Sequence, residues 1–322
     1  RRITPDIKET PEVLPRASAR DGEPTHHTTM LFALGATAAA ATTFVGLMKY
    51  LNHKAFAEAH NCPQQARKRL AQLPAPARPT VVACLGDSIT HGRLSGDYVG
   101  MVRSALGEEE AEFFVINAGV NSECAWNLQQ RLDDILACDP DIVTIMIGTN
   151  DWKGIYNEKW ARESQQSQHL PQAPTKQFFE DSLRAILSAL GGRRPNKCAR
   201  RVALLQLVPF GEDVGAPCQA FVAQANESLA RLAAEHGAAL LPICERMLAR
   251  LTQQPTAVPP APFESWEQIV KEAVARHYML GHTWDTIGAA HGFRLMSDGL
   301  HLNEDGAAMV AEIVVEFVRS KL

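Results

Sequence analysis

From Thr80 onward the chain alternates short β-branched apolar runs with longer stretches whose apolar residues recur at helical spacing. No other feature of the sequence restricts the fold as strongly. The runs lie at Thr80–Leu85, Glu112–Asn117, Asp141–Ile147, Arg201–Val208 and Ala238–Ile243. They are too short for core helices and too continuously apolar for strands with one wet face, so they read as strands buried on both sides in a parallel sheet. Parallel strands need crossover connections, and Asp97–Leu106, Glu123–Ala137, Thr175–Leu190 and Cys218–His236 supply helical ones, with Asn303 capping a last helix to about Lys321. The pattern predicts an α/β chain: a flavodoxin-like three-layer α/β/α sandwich on a five-stranded parallel sheet.

The N-terminal part is different in kind. Residues 1–29 are polar, Pro-bearing and mixed in charge, which predicts a disordered tail. Met30–Met48 then runs about 19 residues without a charge, and at about 1.5 Å rise per residue this nearly matches a hydrocarbon core of about 30 Å. The expectation is a single-pass transmembrane helix, with a buried helix or an uncleaved signal sequence as alternatives. A cleavable signal fits less well, because the small-residue site Ala55-Phe56-Ala57 comes late, after Lys49 and Lys54. Those two lysines follow the span more closely than Arg16 and Arg20 precede it, a slight bias toward a cytoplasmic C-terminal side. Residues 49–79 read as a helical stalk, Phe56–Leu73, and a stiff Pro74–Pro79 linker, with a domain at 80–322.

Composition narrows the function classes. With 322 residues, 46% hydrophobic and 21% charged, a large core is possible. A formal net charge of -4 and no dense Lys/Arg run interleaved with aromatics argue against a nucleic-acid partner. The seven cysteines lack the paired short spacing of a zinc site, and Cys84 and Cys244 sit inside apolar runs as core residues, so no metal, cofactor or disulfide framework is expected.

Four short motifs fall where an open α/β sheet places its chemistry, at strand C-termini or just before the last helix. Gly86-Asp87-Ser88-Ile89-Thr90-His91-Gly92 puts a hydroxyl at the start of a helix, where free N–H groups can face a developing anion; a plain helix cap is the ordinary reading of such a turn. Asn117-Ala118-Gly119 and Gly148-Thr149-Asn150-Asp151 follow the second and third strands and offer a glycine N–H and an amide, though turn chemistry favours the same residues. In Asp298-Gly299-Leu300-His301, a carboxylate and an imidazole three residues apart meet if the segment makes one helical turn, which would brace His301 toward Ser88. A lone histidine is more often a surface residue; it is the ordered co-occurrence of all the motifs that carries weight.

Taken together these residues resemble the SGNH or GDSL hydrolases, over roughly Thr80 to the C-terminus, with Ser88, Gly119, Asn150 and His301 as the four hallmark positions. The resemblance implies the SGNH hydrolase fold and a GDSL-type esterase or lipase. Ser88 would be the nucleophile, His301 the base and then the acid, and Asp298 its orienting partner. The N–H groups of Ser88 and Gly119 and the Asn150 side chain would form the oxyanion hole, with Asp87 and Asp151 as supports. One departure stands out: Asn121-Ser122-Glu123 follow where the family often carries a second glycine, which bears on the shape of that pocket wall.

The expected reaction is hydrolysis of a small-molecule acyl ester, a lipid or a small ester, through an acyl-serine. An acyl thioesterase, a carbohydrate O-acetylesterase and a non-catalytic membrane-tethered binding module are the alternatives, and a phosphate-binding use of the Gly86–Gly92 turn lacks the glycine spacing it would need. Trp126, Trp152 and Trp266 are candidates for lining an acyl groove or for packing. Two long excursions, Asp151–Ala173 and Glu245–Ser297, are candidate pocket walls.

Overall fold

The computed structural model describes residues 45–73, 78–107, 112–192, 198–253 and 258–320. The tail expected at 1–29, most of the span expected at 30–48 and most of the linker at 74–79 lie outside the described residues. The chain divides into two units, 1–50 and 51–322.

Residues 45–56 are helical (α1). This helix carries Lys49, His53 and Lys54, and among the described residues no helix is long and apolar enough to cross a membrane. The expected single-pass membrane placement is thereby corrected.

Within the larger unit, five strands form one parallel sheet in the order β2-β1-β3-β4-β5. They are β1 Thr80–Gly86, β2 Phe113–Gly119, β3 Ile142–Met146, β4 Arg201–Leu205 and β5 Ala239–Leu241. Register pairs Gly86 of β1 with Gly119 of β2 and with Met146 of β3, so the C-terminal ends of the three strands finish level. Order reverses at β1, whose neighbours leave in opposite directions, and that crevice is where such sheets bind ligands.

Alternation of side chains across the pleat builds two cores. Val81, Ala83 and Leu85 face one layer with Ile116, Val143 and Ile145, covered by helices α5 Ala125–Gln130, α9 Lys176–Leu190 and α10 Gln219–His236. Val82 and Cys84 face the other with Val115, Ile142 and Leu205, covered by α4 Tyr98–Leu106, α11 Ile243–Gln253 and α14 Glu304–Arg319. Cys84 and Cys244 are buried and free, as small core residues. Thr175 and Asn303 cap α9 and α14 through their side chains.

Helix α2, Pro63–Leu70, belongs to the same unit and buries Ala66 in the first core. Just before it, Asn61 continues the sheet edge: its carbonyl accepts from Asn117 N–H at 3.2 Å and its amide donates to the Val115 carbonyl.

The expected helix at 123–137 is two helices, α5 and α6 Leu132–Leu136, because Arg131 leaves helical geometry at φ -108, ψ 12. The excursion after β3 folds as α7 Thr149–Tyr156 and α8 Glu158–Ser167. The later one contains α12 Trp266–Leu280 and α13 Trp284–Ala290. Near one end of α12, Trp266 meets Trp160 at 5.8 Å and Lys153 Nζ at 4.1 Å from its ring; near the other, the Tyr278 hydroxyl donates to the Arg93 carbonyl at 2.6 Å. Helix α12 thus ties the helix that follows β3 to the turn that follows β1.

Candidate active site

Strand β1 ends at Gly86, where a Cβ would lie 2.1 Å from Thr90 Oγ1 and 2.3 Å from the Met146 carbonyl, so only glycine lets the chain turn this tightly against β3. Asp87 then caps a single-turn helix, α3 Ser88–His91, accepting from Ile89 N–H at 3.0 Å. Gly92 ends the turn in the left-handed region at φ 78. Ser88 is consequently the first helical residue, with its Oγ at the end of the central strand.

The serine meets its partner 213 positions along the chain: Ser88 Oγ and His301 Nε2 are 2.9 Å apart. His301 Nδ1 lies 2.7 Å from Asp298 Oδ2, and because a carboxylate only accepts, Nδ1 carries the proton and Nε2 is the free base. Ser88, His301 and Asp298 are all buried, at 6%, 3% and 1% exposure, which strengthens each of these hydrogen bonds relative to water.

The Asp298–His301 pair does not meet on a helical turn, as spacing alone suggested. It meets in a tight loop closed by an antiparallel bridge between Met296 and Leu302. Asp298 Oδ1 accepts from the N–H groups of Leu300 and His301, both at 2.8 Å, and Gly299 takes φ 90 to make this possible. The loop is anchored from outside. Ser95 Oγ accepts from Leu302 N–H at 3.1 Å, and the Glu212 carboxylate accepts from the consecutive N–H groups of Arg294, Leu295 and Met296.

The expected oxyanion residues behave differently from one another. Asn150, in the first turn of α7, is 5% exposed and donates from Nδ2 to the Glu123 carbonyl at 3.0 Å, leaving its second amide hydrogen. The Gly119 N–H is engaged by Asn117 Oδ1 at 3.0 Å. A Cβ at Gly119 would sit 2.2 Å from His91 N and 2.6 Å from Thr90 C. Glycine there is demanded by the close approach of α3 to β2, and its N–H, expected as an oxyanion donor, rests on the Asn117 side chain in this structure. Ser122, in the stretch where the second family glycine was absent, takes φ 65.

Asp87 and Asp151 lie in this buried layer beneath the serine and the asparagine. Burial pushes Asp87 up to about 6, against the Ile89 N–H and the nearby His301 and Lys153. Burial likewise pushes Asp151 up to about 7, although its Oδ2 accepts from Ala125 N–H at 3.1 Å at the start of α5. Lys153, one turn after Asn150, is lowered to about 8 by burial, with Cys124, Asp87 and Glu267 opposing the shift.

Sequence reasoning passed over one pair completely. Arg131 grips the Glu123 carboxylate, Nε to Oε1 at 2.9 Å and Nη2 to Oε2 at 2.7 Å, and also donates to the carbonyls of Ala118 at 2.8 Å and Gly86 at 3.4 Å. It joins the ends of β1 and β2 to the residue whose carbonyl holds Asn150. The only signal in the sequence was an eight-residue separation across a helix break. Of the tryptophans, Trp152 is core, edge-on to Phe179 at 6.1 Å, and Trp266 packs on Trp160; Trp126 is half-buried.

A family model described as the GDSL-like Lipase/Acylhydrolase family matches residues 84–309. A curated relative, the acetylxylan esterase of Xylanibacter ruminicola, is 26% identical over 265 residues, 78% of this chain and 45% of the relative, so the chain spans under half of that relative's length. The solved structure of an acetylxylan esterase from Geobacillus stearothermophilus superposes with a TM-score of 0.52 at 18% identity, covering 75% of this chain and 95% of that one. A second, the acetyl xylan esterase AlAXEase, gives a TM-score of 0.52 at 20% identity over 74% and 99%. At these identities the two structures establish a shared fold.

Proposed function

Because the chain belongs to the GDSL-like lipase/acylhydrolase family, we propose that it is a serine esterase that hydrolyses acyl esters, with O-acetyl groups on carbohydrate as the favoured substrate class. The observation that carries this reading is the continuous hydrogen-bonded line from Ser88 Oγ through His301 to Asp298 at 2.9 and 2.7 Å. The acetylxylan-directed names of the relative and of both structures favour acetylated sugar over other esters.

In this reading Ser88 Oγ attacks the ester carbonyl carbon as His301 Nε2 takes the hydroxyl proton. Asp298 stabilises the imidazolium through Nδ1–H and stays ionised. The carbonyl electrons move to oxygen, and that oxyanion accepts from the Ser88 N–H, the first of α3 and without a partner among the described residues, and from Asn150 Nδ2. Collapse expels the alcohol oxygen, which leaves with the proton returned by His301. Water then attacks the acyl-serine by the same route, releasing the acid and restoring Ser88. Preorganised donors of this kind are each worth roughly 100- to 1,000-fold in rate.

The test is labelling of Ser88 by a serine-reactive fluorophosphonate, followed by hydrolysis of an ester panel of increasing acyl length on 4-nitrophenol and of acetylated xylooligosaccharide. The expected result is labelling of wild type and none of Ser88→Ala, with acetyl esters turned over fastest. Full turnover by Ser88→Ala would remove the nucleophile assignment, and a preference for long acyl chains would remove the acetyl one.

A further inference from the structure

Beside the candidate site, at the far end of α3, lies a pocket of about 170 Å³ that the proposed reaction leaves unused. Its wall includes His60, His91, Arg93, Arg103, Asp97 and Asn117. Two features set it apart from a solvated basic surface.

First, neither Arg93 nor Arg103 has a carboxylate within ion-pair distance among the described residues, whereas many other arginines here, such as Arg131, Arg184, Arg231 and Arg246, do. Asp97 also lines the pocket, but its Oδ1 accepts from Gly100 N–H at 2.8 Å as the cap of α4. Two arginines thus line one cavity with a single carboxylate, Asp97, that among the described residues pairs with neither. Guanidinium is the side chain best shaped to take a carboxylate on two parallel N–H groups.

Second, His91 is only 7% exposed, and its Nδ1 is buried without a hydrogen-bond partner. A buried polar atom of that kind is costly unless something fills it. Burial holds the ring down to about 4, with Arg93 adding to the shift and the Ala57 backbone opposing it, so the ring is neutral near pH 7. A neutral imidazole nitrogen matches a hydroxyl, which can donate or accept as the tautomer requires.

A carboxylate and hydroxyls on one small frame describe an acidic sugar. The pocket is also placed for one. His91 follows Ser88 by three residues in α3, about 5 Å of helix rise, comparable to the length of a single sugar ring. The Arg93 carbonyl accepts from the Tyr278 hydroxyl of α12 at 2.6 Å, which holds the backbone that carries this side chain.

We propose that Arg93, Arg103 and His91 form a binding site for the carboxylate and a neighbouring hydroxyl of a uronate residue carried by the acetylated glycan. This rests on the carbohydrate reading of the candidate site and makes it narrower: the substrate is an acidic glycan.

Binding separates this from the catalytic reading, since it can be measured without turnover. Calorimetry on the Ser88→Ala protein would compare a glucuronate-branched xylooligosaccharide, its neutral counterpart and inorganic phosphate. The expected result is that the acidic oligosaccharide binds at least about tenfold more tightly than the neutral one, and that Arg93→Gln and Arg103→Gln each remove about that factor. Arg93→Lys should recover part of it, which a variant damaged in folding would not do. Equal affinity for the two oligosaccharides, or no change in either Gln variant, overturns the proposal. Phosphate binding as tightly as the acidic sugar assigns the site to a free anion and overturns it as well. On wild type, the acidic-to-neutral ratio of kcat/KM should exceed one and fall in the Gln variants; fluorophosphonate labelling and turnover of the neutral acetyl ester report separately on the esterase reading.

Discussion

Asp298 holds His301 at two points, its ring through Oδ2 and Nδ1 at 2.7 Å and its backbone N–H through Oδ1 at 2.8 Å. One carboxylate therefore sets both the tautomer of the imidazole and the turn from which it projects. Asp298→Asn replaces one acceptor oxygen with an NH₂ donor, and whichever way the amide faces, one of the two hydrogen bonds breaks. If the bond to the ring breaks, Nε2 is protonated or the ring rotates, and the base is gone. The expected fall in kcat is about 1,000- to 10,000-fold with KM changed far less. Steady-state kinetics on an acetyl ester check this, and a loss under tenfold would show that Asp298 orients nothing of consequence.

Gly119 tests how closely α3 is held against β2. Its N–H is engaged by Asn117 and its Cα lies against the backbone of His91. A methyl group at 119 must displace α3, which carries Ser88. Gly119→Ala should cost about 1–3 kcal/mol in urea unfolding and reduce fluorophosphonate labelling in the same variant. Normal stability with wild-type labelling would show that β2 accepts a methyl group here without moving α3.

How far the sequence spoke depended on the range of the interaction. Apolar runs and caps are local, so β1 to β5 were found within a few residues of their bounds, Asn303 was legible as a cap, and the helical stretches read from Asp97 and Thr175 begin at residues that cap them. Ser88 and His301 were legible because their residue types are chemically demanding, not because anything local joins them across 213 positions. The Asp298 loop was misread as a helical turn because spacing of three fits either geometry, and only the bridge between Met296 and Leu302 decides. Arg131 and Glu212 were invisible: a charged residue in a polar stretch reads as surface until the strand ends or N–H groups it serves are brought to it. The apolar stretch at 30–48 matched a bilayer by length alone, and only its last residues, from 45 onward, fall among those the structure describes.

Two buried carboxyls predict how stability depends on pH. Asp87 and Asp151 rise from an ordinary 3.8 to about 6 and about 7 through burial. With folded values above unfolded ones, the native state keeps protons that the unfolded chain has released, so their contribution is complete below about 3.8 and lost as pH rises through 6 to 7. Lys153 runs the other way: lowered from 10.5 to about 8, its contribution is present above 10.5 and lost as pH falls through 8. Asp151→Asn removes one titration while its amide oxygen can still accept from Ala125 N–H. The stability of this variant relative to wild type should therefore become more favourable as pH rises from about 4 to about 8, measured by urea midpoints. A difference independent of pH would rule out Asp151 as the titrating group.

Glu212 tests whether the His301 loop is held from outside. Its carboxylate accepts from three consecutive N–H groups, Arg294 at 2.9 Å, Leu295 at 2.7 Å and Met296 at 2.9 Å, just ahead of Asp298. Burial raises this carboxyl and the three N–H groups oppose the rise, so the charged form is held by the loop it organises. Oε1 takes all three N–H groups and Oε2 only that of Arg294, so Glu212→Gln, with its oxygen in the Oε1 place, loses the charge and sets an NH₂ donor against the Arg294 N–H. It should cost about 1–3 kcal/mol of stability. Because the loop carries Asp298 and His301, kcat should fall more than KM changes, whereas a purely structural loss would leave the kinetics of the folded fraction as in wild type. Stability from urea unfolding and kcat normalised to fluorophosphonate-titrated sites distinguish the two. A Glu212→Gln enzyme with wild-type kcat per labelled serine would mean that the bridge between Met296 and Leu302 positions the histidine without help.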